Sequence, residues 1–244
     1  MHSNVIEFFA PKVVLSDKEN YPEPIRKQIP DWYKKISGKQ NTVKNCRPFL
    51  DTLSTGYALK LPSDIEVKFN NKDGETETQC PFASDPKFIS EKSLNVGVVN
   101  DGVHPRWQLE GSPILSRNRN QTVQKIIWPW TIKTSPGYSC LFVPPMNNRD
   151  DRFEIVSGIV DTDEYPMQIN FPYVFNGDKY QHLDTTIKKG IVFAQCIPFK
   201  RENWKMVIKD IKVLKKSSDN YWYKWLTKFQ HKYRNQTWKK KNFT

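Results

Sequence analysis

The sequence predicts a mainly β protein with a Pro-rich arm ahead of the core and an amphipathic helix behind it. Between Lys133 and Trp204, apolar runs of about four to eight residues rich in Val, Ile, Phe, Tyr and Thr alternate with Pro, Gly, Asn and Asp clusters, as in buried strands joined by turns. Clear helical periodicity appears only near the end, after Ser217. The resulting division is an arm over 1–51, a core over 52–213 and a basic aromatic helix and tail over 214–244.

In the arm, Pro11, Pro22, Pro24 and Pro30 interrupt any long element. A short helix fits Pro30 to Ile36: Pro opens it, Asp31 favours the positive end of its dipole, and Gly38 stops it. Trp32 and Ile36 share a face, which predicts a core anchor. Ile65-Glu-Val-Lys-Phe69 alternates apolar and charged residues, so it reads as a half-buried strand, with Asn70 to Gly74 as its hairpin turn. Leu94 to Val99 reads as a further strand ending in a turn at Asn100-Asp-Gly102. Ile126 to Ile132, with Trp128 and Trp130, is apolar throughout and reads as buried sheet surface. His104 has no second His, Cys or carboxylate cluster beside it, so it reads as a turn residue and no metal is expected.

Met206 to Val213 reads as a last strand, and Ser217 or Ser218 caps a helix through about Asn235. Trp222, Trp225, Leu226, Phe229 and Tyr233 fall within an arc of roughly 100 degrees, with Lys224, Lys228, His231 and Arg234 outside it. Such a seam packs on protein; its Trp222, Trp225 and Phe229 are the candidate partner contacts. Lys224, Lys228, Lys232 and Arg234 are candidate phosphate contacts if nucleic acid is the partner. Lys239 to Lys241 reads as a solvated end.

The net charge of +12 is unevenly placed: residues 212–244 hold ten Lys or Arg against one acid, so the body is close to ordinary. No apolar run approaches the roughly 20 residues of a membrane span, and no signal-like segment opens the chain, so cytosol is expected and a membrane partner is not. The four cysteines lack metal spacing, and Cys140 and Cys196 sit inside apolar runs, as buried free thiols would.

Several pieces taken as a set, Pro30-Asp-Trp-Tyr-Lys, Pro48 to Tyr57, Pro136-Gly-Tyr-Ser, Gly158 to Asp163 and Gln195 to Trp204, resemble an uncharacterised family of large tailed phages and some bacteria. A remoter resemblance over Gly56 to Phe199 is to the trimeric dUTPase and dCTP deaminase superfamily, a β-clip jelly roll. There Gly56-Tyr-Ala-Leu stands where the family has its opening motif, and Ser135-Pro-Gly-Tyr-Ser139 stands near the place of its phosphate motif. Gly158 to Tyr165 is similar to the uridine hairpin, and Gly190 with Ala194-Gln195 to the phosphate-side glutamine motif. The resemblance implies Asp161 or Asp163 as the water-activating carboxylate, and Tyr165, Gln195, Ser135 and Gly137 as ligand contacts. Magnesium is implied only if hydrolysis survives; otherwise no cofactor is expected. Ser135-Pro136-Gly137 carries no cation, Pro166 replaces a Gly, and the Gly/Ser-rich closing arm is absent. Lost charge stabilisation removes the largest single contribution to catalysis. The expectation is therefore a phage-encoded, non-catalytic binding or structural protein, homo-oligomeric, in host cytoplasm or virion. Its rivals are a nucleotide pyrophosphatase or deaminase and a nucleic-acid binder acting through residues 212–244.

Overall fold

A computed structural model of the chain describes residues 4–39, 42–70, 75–79, 100–104, 106–118, 123–210 and 233–244. The strands are β1 (Ile6–Phe9), β2 (Glu23–Pro24), β3 (Tyr57–Lys60), β4 (Ile65–Asn70), β5 (Glu75–Gln79), β6 (Asn100–His104) and β7 (Val123–Ile127). There follow β8 (Thr131–Thr134), β9 (Tyr138–Val143), β10 (Phe153–Ile155), β11 (Gly158–Val160), β12 (Asn170–Phe175), β13 (His182–Ile187) and β14 (Val192–Lys200). Short helices α1 (Lys12–Leu15), α2 (Asp31–Lys35), α3 (Arg47–Thr52) and α4 (Pro113–Asn118) punctuate them. The protein is thus mainly β, and every strand pairing among the described residues is antiparallel.

One sheet runs β11-β9-β14-β3-β2 and a second β10-β12-β7-β6, with a third, β13-β4-β5, and the pair β1-β8 beside them. Neighbours in these sheets are mostly distant in sequence, so the core closes only when the two halves of the chain meet. Trp128 sits at its centre, fully buried, with Phe8, Phe171 and Phe193 edge-on around it at 6.3 to 6.4 Å. Its indole N–H donates to the Lys60 carbonyl at 3.1 Å, which removes the penalty of burying a donor. The alternation read in β4 holds, with Ile65 and Val67 buried and Glu66 and Lys68 exposed. Cys140 and Cys196 are buried free thiols. The arm belongs to the body: β1 pairs with β8, and Val14 enters the core cluster.

Three local expectations are corrected, and a fourth in part. Asn100 to Gly102 is strand, not turn, because pairing of β6 along β7 outweighs the turn preference of Asn-Asp-Gly. Residues 206–210 are not strand. Lys200 pairs with Tyr138, the first residue of β9, and the β3 pairing ends at Cys196, so among the described residues neither neighbouring strand extends past Arg201. In α2 the buried aromatic is Tyr33, stacked on Phe49, whereas Trp32 stays 41% exposed. Lys239 to Lys241 are exposed, as expected of a solvated end, but the tail is held rather than loose: Trp238 Nε1 donates to both carboxylate oxygens of Asp51 at 3.0 Å, and Lys241 pairs with the same group. Phe243 completes the contact, edge-on to Tyr57 at 5.9 Å. The expected strand at 94–99, the turn at 71–74 and the helix through 232, with Trp222, Lys224, Trp225, Lys228, Phe229 and Lys232, lie outside the described residues. Arg234 is exposed on a π-helical turn, Tyr233–Thr237. No helix among the described residues is long and apolar enough to cross a membrane.

Candidate functional site

Sheet register brings several of the expected site residues to one end of the first sheet. Gly137 immediately precedes β9, Asp161 follows β11, and Arg201 follows β14, so three strand ends converge. After β11 the chain turns tightly, with the Glu164 and Tyr165 amides donating to the Asp161 carbonyl at 3.0 and 2.9 Å. Thr162 is buried beneath this turn, 2.8 Å from the Thr134 hydroxyl.

The turn points Asp163 inward, where it is 5% exposed. The Gly137 amide donates to its Oδ2 at 2.7 Å, and the Arg201 guanidinium meets both carboxylate oxygens, with Nη1 to Oδ1 at 2.8 Å. Arg201 Nη1 also reaches the Tyr138 carbonyl and Ser139 Oγ, both at 3.0 Å. The guanidinium, seconded by the Gly137 amide and opposed by desolvation, holds the Asp163 carboxyl well below the ordinary carboxylate range; Arg201 is raised in turn by Asp163. A carboxylate so stabilised is a poor base, because both oxygens already accept charge-assisted bonds. Asp161 is more open: its Oδ1 accepts from Ser139 Oγ at 2.6 Å and lies 3.4 Å from Arg201.

The other expected contacts separate. Ser135 is engaged by the arm, its Oγ accepting from the Val5 amide at 3.2 Å. Tyr165 is exposed and its hydroxyl reaches the Gln168 carbonyl at 3.5 Å. Gln195 is fully buried six residues before Arg201 on β14, roughly 20 Å away along an extended strand. Its Oε1 accepts from the Met146 amide at 3.0 Å, and its Nε2 donates to the Thr52 and Thr55 carbonyls at 3.0 and 2.6 Å. Asp161, Tyr165 and Gln195 do not share one pocket. No cluster of three metal-type ligands occurs among the described residues.

The cation beside this turn, Arg201, comes from across the sheet and not from the Ser135 segment where the resemblance puts one. Its signal is Lys200-Arg201 at the end of the long apolar run of β14, which the pairing of Lys200 with Tyr138 sets beside Gly137. No family model matches the chain, and no curated protein matches it.

Proposed function

We propose that the chain is a phage-encoded, non-catalytic structural or binding protein that assembles as a homo-oligomer, working in host cytoplasm or in the virion. Its core would be a jelly roll of β-clip type, a reading supported by sheets made of sequence-distant antiparallel strands. The observation that carries the assembly is the stretch after Arg201. Trp204, Met206 and Ile208 are 88%, 84% and 86% exposed, and Val207 between the last two is 60% exposed. No strand pairing among the described residues covers this apolar run. Leaving three large apolar side chains in water forgoes roughly 5 to 9 kcal/mol of burial per arm, enough to drive association once ordering has been offset.

The occupant we favour for that arm is a second copy, at the free edge of β11. Among the described residues this strand ends its sheet, and its Ile159 is 63% exposed, as is Met167 at 58% further along the chain. Addition of an extended segment there would supply ladder hydrogen bonds and bury both apolar sets. The engagement of Asp163 by Arg201 and of Gln195 by backbone supports a non-catalytic reading.

Sedimentation velocity tests it. Wild type is expected to be oligomeric at micromolar concentration, and Trp204→Asp/Ile208→Asp monomeric with unchanged thermal stability. In a Cys46→Ser/Cys80→Ser background, Trp204→Cys with Ile159→Cys is expected to give intermolecular disulfides under oxidation. A monomeric wild type, or an oligomer indifferent to the arm variants, refutes the reading. Magnesium-dependent turnover of a deoxynucleoside triphosphate, abolished by Asp161→Asn, would replace it with a nucleotide hydrolase. Salt-dependent DNA binding lost on truncation at Lys216 would replace it with a nucleic-acid role.

A further inference from the structure

The loop between β9 and β10 and the exposed face of α2 enclose a groove of about 840 Å³, within the size range of small-molecule sites. Its apolar side is Trp32, Pro145 and Met146, and its polar side Asn147, Asn148 and Ser157. We propose that this groove binds a neutral saccharide.

The indole is presented as a fixed plate. Trp32 Nε1 donates to Asn148 Oδ1 at 3.1 Å, and the ring stands edge-on to Tyr33 and Phe49 at 5.8 and 6.1 Å. Its N–H is therefore spent within the protein, and what it offers a ligand is π surface. The C–H face of a pyranose ring fits such a surface, since its slightly positive hydrogens meet the negative face of the aromatic ring. A proline-rich peptide could use the same plate, with the Asn148 amide as donor to its carbonyl, so it is the comparison ligand that the test must separate from a sugar.

The adjacent amides complete the chemistry. Asn147 stands in the left-handed region at φ 58° and commits its Nδ2 to Thr52 Oγ1 at 2.8 Å, which leaves an acceptor. Asn148 commits its Oδ1 to Trp32 and retains the two N–H donors of its amide. One acceptor and one donor on successive residues match adjacent hydroxyls, each of which can both donate and accept. The loop holding them is braced from below: the Met146 amide donates to Gln195 Oε1, a side chain with no exposure. Such bracing reduces the ordering needed on binding.

The cation on the groove lining, Arg149, is already shared, which weakens its pull on an anionic ligand. Arg149 is paired with Glu154 at 2.7 Å, and Asp151 is held by Lys179 and by the Tyr180 hydroxyl at 2.9 Å. A nucleotide or an acidic glycan entering the groove meets no unpaired cation among its lining residues.

The test is titration calorimetry of the full chain with di- to hexasaccharides of glucose, galactose, mannose and N-acetylglucosamine. Sialyllactose, a decaproline peptide and dUTP serve as comparison probes. At least one neutral saccharide is expected to bind with submillimolar affinity. Trp32→Ala is expected to weaken it by about tenfold or more, and Asn148→Ala by several-fold. Trp32→Phe retains packing against Tyr33 and Phe49, so it keeps the fold measurable and loses less affinity. Trp107→Ala, an exposed Trp outside the groove, leaves binding unchanged. The proposal is overturned if no neutral saccharide binds at millimolar concentration, if binding ignores Trp32, or if the peptide, the acidic sugar or the nucleotide binds at Trp32 instead.

Discussion

Replacing Gln195 by Leu separates a structural role for this residue from a ligand-binding one. In the folded protein its amide closes three backbone hydrogen bonds at once, from the Met146 N–H and to the Thr52 and Thr55 carbonyls. It thereby ties β14 to the end of α3 and to the β9–β10 loop. Leu fills a similar volume but satisfies none of these groups. An orphaned buried backbone group costs about 1 to 3 kcal/mol. Met146, Thr52 and Thr55 are only half-buried, so water can reach some of them. The expected loss is therefore about 2 to 4 kcal/mol, near the lower end of three full penalties. For a chain of this size that lowers Tm by about 5 to 15 °C, readable by calorimetry or circular dichroism. Gln195→Glu sharpens the test. The new carboxyl must face two carbonyls inside the protein, so its folded pKa is raised and stability is retained at low pH and lost as pH rises above about 4.3. A Tm within 2 °C of wild type for Gln195→Leu, or a Gln195→Glu variant with no added pH dependence, refutes the structural assignment.

Gly56→Ala is expected to cost about 3 kcal/mol or more, since φ is +83° and the added Cβ would lie 2.2 Å from the Cys196 carbonyl oxygen. Gly190→Ala, with φ +82° and open space around it, isolates the backbone preference at about 1 kcal/mol; equal losses in the two variants would show that the close approach to β14 is irrelevant. Because Asp163 is depressed in the folded state, its stabilisation is fully present above its unfolded pKa of about 3.9 and is lost as pH falls toward the folded value. Asp163→Asn should therefore flatten the decline of Tm between pH 5 and pH 2, and an unchanged acid limb contradicts the Arg201 clasp. Asp51→Ala removes the anchor of Trp238 and Lys241 and should raise the rate of trypsin cleavage at Lys239 to Lys241 several-fold; an unaltered rate means the tail is held by something else.

What was legible in the sequence followed from local pattern. Period-2 alternation placed β4, and the apolar run with Trp128 and Trp130 placed buried residues, though these two stand in the bend between β7 and β8 rather than in a strand. Continuous apolarity around Cys140 and Cys196 placed their thiols inside. Illegible features depended on who pairs with whom. Trp204 to Ile208 has the composition of a strand, but a strand is a relation between two segments, and β9 has run out where this one begins. Trp32 and Tyr33 are adjacent, and a five-residue helix gives too little periodicity to say which turns inward; packing against Phe49 decides for Tyr33. The site divided along the same line. The turn at Asp161 to Tyr165 was readable from its residues, whereas the counter-ion of Asp163 arrives from a strand end 38 residues away.

Arg201 joins these threads physically. The backbone N–H of Arg201 donates to the Gly137 carbonyl at 2.8 Å while its guanidinium grips Asp163, so the chain is fixed at the residue from which the exposed segment departs. A hydrolase of the type the hairpin resembles needs a carboxylate free to polarise water and cations free for phosphate. Here the candidate cation and the inner carboxylate neutralise each other, and the pair is positioned to hold the root of an exposed apolar segment that joins no sheet among the described residues. The same bond that withdraws Asp163 from proton chemistry therefore limits the directions in which Trp204, Met206 and Ile208 can project. A rooted arm surrenders less conformational freedom on docking than a loose one, which favours assembly over catalysis as the use of this end of the sheet.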